Sequence, residues 1–269
     1  MGPRLLHILV LNGTAAPQVG ASELVTFMEQ WPDPFAVLTI DGDVGYVEAV
    51  RQGLDISRVI TGRLDRVGFL DADTRLEGLG HWTRLETALD AEPELDAISG
   101  LVVHQRCGIW ETPSSQRFIT ALTRQLTVVD KPYIQGGAGG TLARRGRFEE
   151  AVACAQTMGT LIGPSLSAAA IAGGRAVRAT GHLPCRHTPR VTLADWTTSV
   201  SAYERSWGTL LSRFGRSVEQ PWAAFLETAR QLLAADPDLL RDLDYSITLR
   251  RQIADDVARQ LDIHPAEAL

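Results

Sequence analysis

The chain has 269 residues, 45% hydrophobic and 22% charged, with a formal net charge of −6. That is enough for one large α/β domain with an appendage, and the acidic balance gives a nucleic-acid partner no electrostatic support. Three cysteines (Cys107, Cys154, Cys185) without metal-type spacing, no apolar stretch of membrane-spanning length and no signal-type leader predict a cytoplasmic protein with no integral membrane segment.

The first half alternates between strand and helix patterns. Leu5–Leu11 is a buried-strand run closed by Asn12-Gly13-Thr14, and Ser22–Gln30 has helical spacing with Ser22 as N-cap. Phe35–Ile40 is a second strand, ended by Asp41-Gly42-Asp43, and Tyr46–Leu54 reads as a helix stopped at Gly53. Val67–Leu70 is a third strand, Leu79–Glu92 a helix and Leu95–Val103 a further strand. Helices are expected over Arg147–Thr157 and from Leu166 to Gly173-Gly174, then a short strand Ala176–Ala179. This alternation predicts an α/β fold with a mainly parallel sheet flanked by helices. After Arg190 the pattern becomes helical (Trp196–Phe214, Pro221–Ala235, Leu239–Leu261). The expected division is therefore a domain over 1–190 and a helical C-terminal extension over 191–269. Its apolar residues, among them Trp196, Trp207, Leu210, Phe214, Trp222 and Phe225, are expected mostly to pack back on the domain. A homodimer through these helices is the alternative.

The segment Val67-Gly-Phe-Leu-Asp-Ala-Asp-Thr-Arg-Leu76 carries the most chemistry. An apolar run ends in two carboxylates, Asp71 and Asp73, which a buried strand core does not tolerate unpaired. They belong at a strand end, and i, i+2 side chains of an extended segment point the same way. Two converging carboxylates suit a hard divalent cation, Mg²⁺ or Mn²⁺, that in turn holds phosphate oxygens. Asn12, Asp41, Asp43, Asp71 and Asp73 all follow strands, where α/β sheets bind ligands.

Several motifs resemble those of the GT-A-fold glycosyltransferases of the family 2 type, over roughly residues 5–190. Gly45-Tyr-Val-Glu-Ala-Val-Arg-Gln-Gly-Leu54 is similar to the family's Gly-Tyr-x-x-Ala-x-Asn-x-Gly-Leu helix, with Arg51 in the Asn slot. Phe69-Leu-Asp-Ala-Asp-Thr74 is similar to its DxD segment, and Leu85–Gly100 to the helix and strand that follow. Gly136-Gly-Ala-Gly139 resembles the glycine-rich segment beside the donor sugar, which fringe-type transferases also have. Gly174-Arg-Ala-Val with His187 13 positions later resembles the late Gly-Tyr-Arg-Val…His.

The resemblance implies a metal-dependent glycosyltransferase that uses a nucleoside-diphosphate sugar and a small-molecule or glycan acceptor. It implies nucleotide-sugar contacts from Asn12, Gly13, Asp41, Asp43, Arg51, Asp71, Ala72, Gly136, Gly137 and Ala138. It also implies a Mn²⁺ or Mg²⁺ site from Asp73, Asp71 and His187, with His182 as the rival histidine. Lys131 is a further candidate for the phosphates, and Trp110 and Tyr133 are candidates for stacking on a sugar. Donor, acceptor and inverting or retaining stereochemistry stay open.

One departure stands out. Inverting members carry an acidic pair about a dozen residues before the glycine matched to Gly174, whereas here the stretch reads Thr160-Leu-Ile-Gly-Pro-Ser-Leu-Ser167, without an acid. A general base must be a correctly placed side chain. It then comes from elsewhere (Asp130, Glu149, Glu150 or Glu111), or the enzyme retains configuration, or the domain is a degenerate one that binds a nucleotide sugar or a protein partner without turnover. A sugar-nucleotide nucleotidyltransferase is a further alternative, although Asn12–Pro17 lacks the basic residue such a loop needs. A dinucleotide-dependent oxidoreductase is disfavoured because no GxGxxG follows the first strand.

Overall fold

The computed structural model describes residues 7–12, 35–61, 64–71, 74–76, 80–104, 132–134, 140–187 and 193–215, with scattered residues between 227 and 260. The chain divides into two compact units, Met1–Asp65 and Arg66–Leu269.

In the first unit, β1 (His7–Asn12) and β2 (Phe35–Ile40) pair in parallel, His7 opposite Phe35 and Asn12 opposite Ile40. Helix α1 (Tyr46–Thr61) follows. It runs past Gly53, the residue expected to end it. Gly53 is buried, and a Cβ there would lie 2.9 Å from Val10 Cγ2. This glycine serves close helix–strand approach, which a sequence cannot distinguish from a helix stop.

The second unit is one five-stranded sheet in the order β3-β6-β5-β7-β4. Its strands are β3 (Arg66–Phe69), β4 (Thr74–Leu76), β5 (Leu95–His104), β6 (Thr141–Arg144) and β7 (Ala176–His187). Strands β5 and β7 are parallel, whereas β3–β6, β5–β6 and β4–β7 are antiparallel. The alternation read from the sequence holds, but the directions of these pairs do not follow from it, because periodicity reports which face is buried and not which way a neighbour runs. β4 and β6 lie outside the expected strands; each is too short to show a period. β7 is three times the expected length and carries a bulge, since Gly100 pairs with Thr180 but Val102 with Cys185.

Strands β3 and β4 stand at opposite edges of this sheet although only residues 70–73 separate them. Four inter-strand gaps of a flat sheet span about 19 Å, and five extended steps reach only about 17 Å. The sheet is therefore curled. Gly140, just before β6, comes so close to β4 that a Cβ on it would lie 2.7 Å from Leu76 Cδ2.

Helices cover both faces. On one, α2 (His81–Ala91) sets Leu85 and Leu89 against Leu95, Ile98, Leu142 and Leu183, and Trp82 fills the space left by Gly68. On the other, Phe148 of α3 (Arg145–Met158) meets Phe69 with ring centroids 5.7 Å apart. Helix α4 (Ile162–Ala172) packs behind α3, and α5 (Leu193–Phe214) closes on α4, with Leu210 and Leu211 against Ala168 and Trp207 and Phe214 beside them. Trp207, Leu210 and Phe214 thus pack within the chain, as expected.

Gly53→Ala should destabilise the first unit by about 1–3 kcal/mol through overpacking, despite the better helix propensity of alanine. Val10→Ala in the same chain should recover most of that loss. Chemical denaturation of the single and double variants measures both, and equal stability of Gly53→Ala and wild type would refute the close-approach role.

Candidate functional site

The candidate residues fall into two groups, one in each unit. In the first unit, Asn12 ends β1 and Asp41–Asp43 follow β2. Asn12 Nδ2 donates to Asp43 Oδ1 at 3.2 Å, and Asp43 Oδ1 also accepts from Gly45 N at 2.8 Å. Asn12 Oδ1 accepts from Val44 N at 3.2 Å. Asn12 and Asp43 are therefore committed to the turn that leads into α1, an Asx-type arrangement. Asp41 is exposed and makes no side-chain hydrogen bond among the described residues. Arg51 is held along α1, donating to Glu48 at 2.7 and 2.5 Å and to Asp55 at 2.5 Å. The Glu48 hydrogen bond, with the charges of Glu48 and Asp55, raises its pKa further above an already high value. It has the bonding of a solvated helix arginine.

In the second unit, the Asp71 carbonyl accepts from Thr74 N at 3.1 Å, closing the turn between β3 and β4. Asp71 is half-buried. Thr74, the residue after Asp73, pairs directly opposite His187, and His187 pairs on its other side with His104. Three strand ends therefore form one row across β4, β7 and β5. His104 was not among the residues singled out in the sequence; only strand register reveals it, 83 positions before His187. The rival His182 is exposed in the β7 bulge, its N–H donating to Thr180 Oγ1 at 3.3 Å. It lines a different feature, an open cleft of about 380 Å³ with Arg84, Ala88, Ile98, Arg178, Thr180 and Leu183.

The stretch that lacks the acidic pair is structural. Thr160 and Ser165 share a 2.7 Å hydroxyl hydrogen bond. Ser167 Oγ accepts from Ile134 N and donates to the Gly163 carbonyl, both at 2.9 Å. Leu161 N donates to Ser206 Oγ of α5 at 2.9 Å. Residues Ile162–Ala168 are all buried, so nothing here presents a base to a ligand. Glu149 and Glu150 are tied along α3, to Arg145 and Arg147 respectively, each at 2.7 Å. Tyr133 is buried in the core. Gly13, Ala72, Asp73, Trp110, Glu111, Asp130, Lys131, Gly136, Gly137, Ala138, the expected helix Ser22–Gln30 and most of the last two expected helices lie outside the described residues. Among the described residues no three His, Cys, Asp or Glu side chains form a metal cluster, and no helix is long and apolar enough to cross a membrane.

Between Gly140 and β7 lies a buried histidine that the sequence reading did not single out. His81 is 1% exposed, its Nε2 is 3.7 Å from Cys185 Sγ, and Nδ1 has no hydrogen-bond partner among the described residues. Desolvation lowers its pKa below the ordinary 6.5; a hydrogen bond with the Gly140 backbone opposes this, and the charge of Arg84 adds to it.

No protein-family model matches the chain, and no curated protein does. Among solved structures it is similar to the mannosyltransferase PcManGT from Pyrobaculum calidifontis in complex with GDP-Man and Mn²⁺, at 14% identity and a TM-score of 0.47, over 97% of this chain and 70% of that one. It is also similar to GalNAc-T7 with UDP, GalNAc and Mn²⁺, at 15% identity and a TM-score of 0.44, over 84% of this chain and 47% of that one. Likeness of this degree assigns neither family nor activity.

Two predictions follow from the bonding of these residues. Asp43→Ala should lower the stability of the first unit by about 1 kcal/mol, since it removes the acceptor of Gly45 N, while Asp41→Ala should leave the melting temperature unchanged. The pH dependence of His81 has a definite sign. Its pKa is lower folded than unfolded, so just below pH 6.5 the unfolded chain binds the extra proton and stability falls as pH falls. Melting curves between pH 7.5 and 5 should therefore show a steeper loss for wild type than for His81→Gln, and parallel losses would contradict a buried neutral imidazole.

Proposed function

We propose that this chain is a metal-dependent glycosyltransferase that moves a sugar from a nucleoside-diphosphate sugar to a hydroxyl or amine of a small or soluble acceptor. The observation that carries this reading is the strand register that sets Thr74, next in sequence to Asp71-Ala72-Asp73, opposite His187. The residue that follows a DxD-like segment and the late histidine, 113 positions later, are thereby brought to neighbouring strand ends. Directly opposed residues of an antiparallel pair have Cα atoms about 4.5–5.5 Å apart.

Asp73 and His187 are the proposed metal ligands, with Asp71 directed to ribose or to metal-bound water. Carboxylate oxygens with one imidazole suit Mn²⁺, and Mg²⁺ less well. When bound, the cation would neutralise charge on the departing diphosphate. Asp41 is the proposed nucleoside contact, with Asn12 and Asp43 shaping the turn that presents it. Gly136, Gly137 and Ala138 are proposed to let the backbone approach the donor sugar closely. The helical region from 191 is proposed as an appended layer that locks α4 through Ser206, and the cytoplasm as the site of action.

A second reading, a GT-A-like domain that binds a nucleotide sugar without turning it over, is favoured by one observation. The hydroxyls of Thr160 and Ser165, bonded to each other, and of Ser167, bonded to backbone, are buried where an inverting enzyme would carry its base.

The test is thermal shift of the purified chain against nucleoside-diphosphate sugars with Mn²⁺, Mg²⁺ or EDTA, followed by product analysis. A donor at a hundred times its Kd stabilises the native state by about 2.7 kcal/mol. We expect one donor to raise the melting temperature in a metal-dependent way. Asp73→Asn and His187→Ala should each remove that rise while leaving the melting temperature without ligand unchanged, whereas His182→Ala should retain it. Donor stabilisation unaltered by Asp73→Asn would sink the metal assignment, and metal-dependent binding without any product would select the second reading.

A further inference from the structure

Gly140 and the end of β7 meet at one side chain outside the proposed site, and the end of β4 lies beside them. His81 Nε2 would lie 3.1 Å from a Cβ on Gly140, the residue that closes the Gly136–Gly140 run, and that same Cβ would meet Leu76 Cδ2 at 2.7 Å. Leu76 ends β4, the strand that begins directly after Asp73, and it pairs with Cys185. Cys185 Sγ is 3.7 Å from His81 Nε2 and lies two residues before His187. The imidazole thus lies against Gly140 and β7, and the end of β4 lies beside the same point. The geometry points to His81 as a positioning residue that fixes Gly140 at the head of β6, the end of β4 and the end of β7 relative to one another.

The chemistry of the ring fits that role. Of its two nitrogens, Nδ1 lacks a partner among the described residues, so the neutral tautomer with the proton on Nε2 leaves an unpaired acceptor and not an unpaired donor. A hydrogen bond with the Gly140 backbone opposes the effect of burial on the ring, and Nε2 also faces Cys185 Sγ at 3.7 Å. Trp82 holds the ring edge-on, with centroids 5.7 Å apart and planes at 89°, so the imidazole has little freedom to turn. Gly140 has a left-handed φ of +61°, which only glycine adopts without strain, and it has no room for a side chain on the His81 side. His81 opens α2, whose N-cap Gly80 makes no side-chain cap bond. The positive end of the helix further disfavours an imidazolium there. Cys185 is fully buried and serves as packing, not as a reactive thiol.

The inference rests on the transferase reading, and its test separates the two. His81→Leu keeps bulk and removes the donor, whereas His81→Gln keeps an N–H donor on a side chain of similar reach. Hydrogen exchange of the full chain without ligand reads the anchoring alone. His81→Leu should speed exchange of peptides covering 74–76 and 140–142 at least tenfold while the α5 peptides stay at wild-type rates, and His81→Gln should restore protection. Turnover with the donor found by thermal shift reads the consequence. A displacement of about 1 Å can cost on the order of a hundredfold, so His81→Leu should lower kcat by 10- to 100-fold with KM for the acceptor changed less than threefold, and His81→Gln should recover most of it. If wild type shows neither donor binding nor turnover, the transferase reading fails, and the exchange arm alone decides whether His81 anchors these segments. Exchange unchanged in His81→Leu, exchange raised uniformly over the whole unit, or wild-type kcat in that variant would each overturn the positioning role.

Discussion

The chain between β3 and β4 is too short to cross a flat sheet, and much of the second unit follows from that. Four residues join strands at opposite edges, so the sheet must curl until β4 approaches the start of β6. Curling creates an interior angle bounded by Leu76, Gly140 and Cys185, and His81 from α2 fills it. A larger residue at 140 would hold these elements apart; its glycine is a condition of the curl. At the far end of the same tether, register sets Thr74 opposite His187 at the end of β7.

β7 is the strand on which these requirements meet. Its first half pairs with β5 alone, and its last three residues pair with both β5 and β4. Buried strand backbone needs hydrogen-bond partners on both sides, so β4 completes the ladder where β7 would otherwise present an open edge. The bulge before Cys185 shifts the pairing between these two halves. Beyond it, Val102 and His104 of β5 pair with Cys185 and His187, the same residues that face Leu76 and Thr74 of β4.

Behind the sheet, several buried polar groups are answered by a charge, a hydroxyl or the backbone. Asp96, 2% exposed near the start of β5, lies between Arg147 at 3.0 Å and Arg175 at 3.1 Å. The hydroxyls of Thr160 and Ser165 satisfy each other, that of Ser167 bonds nearby backbone, and Ser206 from α5 receives the Leu161 N–H at the start of α4. An unpaired carboxylate in this apolar layer would cost several kcal/mol. The missing acidic pair is thus accommodated by a helix buried on all sides, and α5 takes part in that burial.

The sequence by itself determined where the longer elements lie and which residues deserve chemical scrutiny. Phe35–Ile40 was legible to the residue, and β5, α2 and α3 to within two residues at each end, because continuous apolar runs and 3.6-residue spacing record burial directly. The Asp41–Asp43 and Asp71–Asp73 turns were legible because carboxylates are excluded from strand cores. What the sequence could not record is pairing. The directions of β3, β4 and β6, the long bulged β7 and the row Thr74–His187–His104 depend on hydrogen bonds between residues far apart in the chain. Gly53 and Gly140 look alike in sequence as turn residues. Tertiary structure alone made one a contact for Val10 and the other a seat for His81, because the space beside a glycine is defined by whatever element packs against it.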